Sequence, residues 1–140
     1  MRTLILMIVS IALICSCSLA GTPPAAVQKA FEQKFPKATK VSWGKENEKE
    51  WEAEFTNNGG KLSANFRNDG AWLETEKEIN VSELPKAVND AIQKKYPGWK
   101  ITEVDRTETA KNGLIYEADI KSGIHKKEVA FKEDGTVVTE

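Results

Sequence analysis

The chain has 140 residues, with 20 lysines and arginines against 21 aspartates and glutamates for a net charge of −1, and its only cysteines are Cys15 and Cys17. That balance lacks the clustered basic face of a nucleic-acid-binding protein, and no disulfide can brace a folded part that contains no cysteine. The remainder after residue 20, about 120 residues, has the size of one domain, 21–140, whose stability has to come from its core.

Met1-Arg2-Thr3 and the apolar run Leu4 to Ile14 have the form of a secretory signal, residues 1–20, because a membrane-spanning helix needs about 20 apolar residues and this run is shorter. Two cleavage readings stay open. Ile14-Cys15-Ser16 before Cys17 resembles the lipobox of bacterial lipoproteins, which would make Cys17 a lipidated N-terminus and the only link to a membrane. Ser18-Leu19-Ala20 is a small-x-small site that would instead release a soluble protein from Gly21. A cysteine directly after the apolar run favours the lipoprotein, held at the outer membrane, and either reading exports the chain to the periplasm. Loss of Arg2 leaves 19 basic side chains against 21 acidic ones, a mature charge of about −2.

Val27, Ala30, Phe31 and Phe35 then recur at helical spacing, with Thr22 as N-cap, Pro23 or Pro24 in the first turn, and Pro36 as the stop. Beyond the helix the period changes to two. Trp51, Ala53 and Phe55 alternate with Glu52 and Glu54, and Leu62, Ala64 and Phe66 with Ser63 and Asn65, as in half-buried antiparallel strands. Asn57-Asn58-Gly59-Gly60 and Asn68-Asp69-Gly70 supply the turns. After a short connection from Lys77 to Glu83 the same grammar returns. Val88, Ala91, Ile92 and Tyr96 form a second helical stripe, with Ser82 near its start, Pro85 in the first turn and Pro97 as the stop.

The return is literal. Pro24-Ala25-Ala26-Val27 is echoed by Pro85-Lys86-Ala87-Val88 about 61 residues later, and Trp51 to Phe55 by Tyr116 to Ile120 about 65 later. The pattern predicts two repeats, 21–77 and 78–140, each a helix followed by four strands, at 39–44, 50–56, 61–67, 71–76, then 100–106, 114–120, 125–132 and 136–139. A unit of about 60 residues is marginal alone, which predicts that the copies share one core. The expected fold is α+β: one curved antiparallel sheet of about eight strands with both helices on one face. Trp51, Ala53, Phe55, Leu62, Ala64, Phe66 and Trp72 should lie under the first helix, and Tyr116, Ala118, Ile120, Val129, Phe131 and Val137 under the second. The open face should carry Glu52, Glu54, Ser63, Asn65, Arg67 and Leu73, then Glu117, Asp119, Glu128, Ala130, Lys132 and Val138.

Ala30-Phe31 to Phe35-Pro36, Trp43, Trp51 to Phe55, Asp69-Gly70-Ala71-Trp72 with Glu74-Thr75-Glu76, Leu84-Pro85, Tyr96-Pro97, Tyr116-Glu117 and Asp134-Gly135 together resemble the PepSY-like family of exported Bacteroidetes proteins, whose fold is similar to that of the β-lactamase inhibitory protein. The resemblance implies a tandem α+β repeat, a concave sheet that holds a protein partner, and a periplasmic, non-catalytic, inhibitory role. The cysteines that brace the inhibitor's repeats are missing here, so the likeness to that protein is one of fold, and fold alone does not carry function.

Chemistry-bearing residues are few. Glu52 and Glu54, mirrored by Glu117 and Asp119, could place paired carboxylates in acid/base range, but the lysines interspersed with them point to a solvated face. His125, the single histidine, lacks the partners of a triad or a zinc site and reads as a surface side chain. Trp43 and Trp99 flank the helix-to-strand joins, where exposed rings could form a platform for a glycan or peptide. No phosphate-cradling loop, nucleophile elbow or calcium loop is present, so neither an enzyme, a cofactor nor a metal is implied. The expected function is an exported binding module engaging an envelope protein through Glu52, Glu54, Asn65, Arg67, Leu73, Glu117, Asp119, Glu128 and Lys132. The alternative is an envelope sensor or accessory that binds peptidoglycan or another glycan.

Overall fold

The computed structural model describes residues 21–139, so the expected leader, with the candidate lipidation at Cys17 and candidate cleavage after Ala20, lies outside the described residues. Helix α1 (Ala25–Lys34) leads into β1 (Thr39–Lys45), β2 (Glu50–Asn57), β3 (Gly60–Arg67) and β4 (Trp72–Glu78). A single 3-10 turn over Val81–Glu83 then precedes α2 (Lys86–Lys95), β5 (Lys100–Thr109), β6 (Gly113–Ser122) and β7 (His125–Phe131). The strands form one seven-stranded antiparallel sheet in sequence order.

Three expectations need correction. The stretch 136–139 does not add an eighth strand: after the Asp134-Gly135 turn Val137 makes one isolated bridge to Phe131, and Val137 is exposed rather than tucked under α2. Thr22 does not cap α1, and the cap of α2 is likewise a proline. Pro24 and Pro85 hold those positions without any side-chain cap bond, and Ser82 belongs to the 3-10 turn. Their extended ψ of 150° and 137° sets the entry angle, and each prolyl carbonyl accepts the first helical N–H bonds.

The third correction concerns the core, which is divided. Val27, Phe31, Trp51, Ala53, Phe55, Ala64 and Phe66 form one buried cluster under α1, while Leu84, Val88, Ile92, Val104, Tyr116, Ala118, Ile120, Val129 and Phe131 form another under α2. Each helix is only ten residues long, so it covers the strands that follow it and reaches no further. The halves are joined instead by the sheet itself, through the five pairs from Glu74↔Thr109 to Glu78↔Asp105 that link β4 to β5. In the first cluster Phe31 meets Phe55 edge-on at a centroid distance of 4.9 Å and Trp43 at 5.1 Å.

Candidate functional site

With both clusters on one side of the sheet, the alternation of side chains along each strand leaves the other side mostly to polar residues, with Ile115 a buried apolar exception. The register places them in rows. Glu52, Asn65 and Glu74 stand side by side, as do Glu54, Ser63 and Glu76; Glu78, Asp105 and Glu117 form a third row, and Glu103, Asp119 and Glu128 a fourth. A shallow groove of about 400 Å³ touches all four rows, lined by carboxylates that include Glu52, Glu54, Glu76, Glu103 and Asp105 and also by Lys40 and Lys61.

Electrostatics concentrate at its centre. Burial, with the charges of Glu74, Glu117 and Asp105 added, pushes the Glu76 carboxyl up to about 8, although the Ser63 hydroxyl donates to it at 3.2 Å. Burial likewise pushes Asp105 up to about 6, helped by Glu103, Glu117 and their neighbours. Glu52 and Glu103 are raised by the same two causes. Thr107, completely buried, donates its hydroxyl to Glu117 at 2.5 Å. Glu76 therefore keeps its proton at neutral pH and would give it up to an arriving cationic group, while Asp105 takes one up only in mildly acidic solution.

Of the residues expected on this face, Glu52 and Glu54 line the groove, and Asn65, Glu117, Asp119 and Glu128 stand in the adjoining rows. Arg67, at the end of β3, keeps the alternation of Ser63 and Asn65 and pairs with Glu50, 3.6 Å from Asp69. Two do not join them: Leu73 sits where the β3–β4 register shifts, its carbonyl accepting from Ala110, and Lys132 follows the end of β7. Glu76, Glu78, Glu103 and Asp105, the strongest part of the groove, were missed as site residues. The signal was present in the alternation of Glu74-Thr75-Glu76-Lys77-Glu78 and Glu103-Val104-Asp105. Trp43 and Trp99 are half-buried and packed against the clusters on the helix side, Trp99 with its ring 6.0 Å from that of Tyr96. His125 is exposed beside the β6–β7 turn. Among the described residues no group of three or more histidine, cysteine, aspartate or glutamate side chains is arranged to hold a metal ion.

A family model described as beta-lactamase-inhibitor-like, PepSY-like matches residues 49–139. The chain belongs to this family. The PepSY-like chain is similar in structure to a BLIP-like protein from Bacteroides fragilis, at 26% identity over 85% of this chain and 86% of that one with a TM-score of 0.71. A DUF2874 family protein from Bacteroides ovatus shares the fold at 24% identity, covering 85% and 86% of the two chains with a TM-score of 0.73. So does a periplasmic protein from Bacteroides eggerthii, at 21% identity, 85% and 88% coverage and a TM-score of 0.72. No curated protein matches the PepSY-like chain.

Proposed function

We propose that this PepSY-like protein is an exported, non-enzymatic binding module, built from two copies of one helix-and-strands unit, that engages a basic surface of another envelope protein through its open sheet face. The observation that carries the reading is the grooved, carboxylate-lined side of a sheet whose helices all lie on the other side. A cationic side chain arriving there is attracted by the charged groups and displaces the proton from Glu76, so binding at neutral pH is coupled to proton release. Inhibition of the partner follows if the covered surface includes its active site, as the names of the similar proteins suggest for their own class. The secretory leader supports export, and the periplasmic description of the Bacteroides eggerthii protein agrees with that compartment. The groove's one aromatic, Phe55, is buried, so it offers no stacking platform for a sugar.

The test is capture from envelope extract with the immobilised mature chain and with a Glu54→Lys/Asp105→Lys variant whose folding is verified by circular dichroism. A protein retained by the wild type, released by salt and lost with the charge-reversed variant supports the reading. Identical capture by both would move the site off this face, and elution by soluble peptidoglycan fragments would favour the glycan alternative.

A further inference from the structure

β1 forms one edge of the sheet. Between it and α1 runs a second groove, of about 430 Å³, lined chiefly by Phe31, Phe35, Pro36, Ala38, Val41 and Trp43. Val41 is exposed, and Phe35 and Trp43 are half-buried. The corresponding strand in the second half is β5: Val104 faces Ala118 as Trp43 faces Ala53, Glu103 faces Asp119 as Ser42 faces Glu54, and a register shift precedes both pairs.

On β5 the outer side is filled. β4 pairs along Asp105 to Thr109, and its continuation donates the Ile79 N–H to the Val104 carbonyl at 2.9 Å, with the Ile79 side chain packed against the second cluster. Val104 is consequently buried. Among the described residues no strand stands in the same place beside Trp43. In an antiparallel ladder the N–H and C=O of one residue point to the same side, so the correspondence aims those of Trp43 off the edge.

We infer that the β1 edge and its aromatic groove form a strand-acceptor site for an extended peptide segment of a partner protein, laid antiparallel to β1, with one aliphatic side chain seated against Trp43 and acidic residues beside it. The occupant's chemistry is read from the other half, where β4 brings Glu74, Glu76 and Glu78 before Ile79. On the strand itself charge agrees, since β1 carries Lys40 and Lys45 and no carboxylate, although Glu32 of α1 also lines the groove. Lys40, at φ 53°, lies within the register shift, which confines pairing to Ser42 to Lys45. A short ladder of that kind accepts one segment without templating a growing sheet, backbone bonds providing attachment and the groove selectivity. The inference does not depend on the open face.

The probe is a capped peptide with this chain's own residues 74–80, added to isotope-labelled mature protein and followed by amide chemical shifts. Saturable shifts confined to Ser42–Lys45, Phe35–Ala38 and the Trp43 indole are expected. A peptide carrying Ile79→Asp should bind about tenfold more weakly or worse, since it no longer buries an aliphatic side chain. The protein variant Val41→Glu, changed at an exposed position, should show the same loss while its spectrum stays folded. Equal binding of the Ile79→Asp peptide, shifts on the carboxylate face instead of β1, or no shifts at all would overturn the inference.

Discussion

Gly70 lies so close to Ala26 that a β-carbon on it would stand 2.7 Å from the Ala26 carbonyl oxygen, and Gly135 stands in the same relation to Ala87. Each is the glycine of an Asp-Gly turn, in the left-handed region at φ 88° and 84°, pressed on the first turn of its own helix. The aspartate fixes each turn by accepting a backbone N–H two residues on, from Ala71 at 3.0 Å and Thr136 at 2.8 Å. A short helix without a side-chain cap is thus positioned by the turn that docks on it.

Gly70→Ala should therefore cost about 3 kcal/mol or more, combining left-handed strain with a backbone collision. Gly59→Ala is the control. Gly59 has a similar φ of 81° but nothing within 4 Å of an added β-carbon, so strain alone, about 1 kcal/mol, should appear. Urea midpoints compare the two, and equal losses would show that the helix contact is without weight.

The divided core makes a quantitative expectation. Phe66→Ala and Phe131→Ala each remove a fully buried ring and should cost about 3–5 kcal/mol. Because the rings belong to different clusters, the double variant should show the sum of the two losses within about 0.5 kcal/mol. Glu54→Ala on the exposed face should stay within about 0.5 kcal/mol of wild type. A large coupling energy in the double variant would mean that the clusters act as one.

Proton uptake gives a third expectation. Glu76 and Asp105 titrate higher in the folded chain than the ordinary 4.5 and 3.8, so between those values and about 8 the folded state binds more protons than the unfolded one. Stability then falls as pH rises through this window. Titration during unfolding near pH 6.5 should register release of about one proton per molecule or slightly more. Glu76→Gln should flatten the fall between pH 5 and 8 and raise the melting temperature at pH 8; an unchanged profile would place its source elsewhere.

Much of this was legible in the sequence, for reasons that specific residues make plain. Trp51, Ala53, Phe55, Ala64 and Phe66 carry a strict period of two, and all five are buried. The helical stripes fall where Val27, Phe31, Val88 and Ile92 are buried. What the pattern could not supply was distance. It does not tell how far a helix of ten residues reaches, and hence that the core divides. Nor does it tell that Glu76 and Asp105, far apart in the chain, stand in neighbouring rows where β4 meets β5. The site's electrostatics arise at that junction, between segments that local periodicity treats separately.

The same junction decides what the first half can do alone. A fragment of residues 21–77 keeps its own buried cluster under α1, yet it exposes the edge of β4 that pairs with Thr107, Glu108 and Thr109 in the full chain. A unit of about 60 residues buries too little surface for comfortable stability, and an unpaired edge invites association. The fragment should therefore unfold over a broad range, well below the full chain's midpoint, and its sedimentation should depend on concentration. The full chain, tied through five β4–β5 pairs, should melt in one transition despite its two clusters. A monomeric fragment with a sharp transition near that of the full chain would establish the halves as independent folding units, with β4–β5 pairing a mere contact between them.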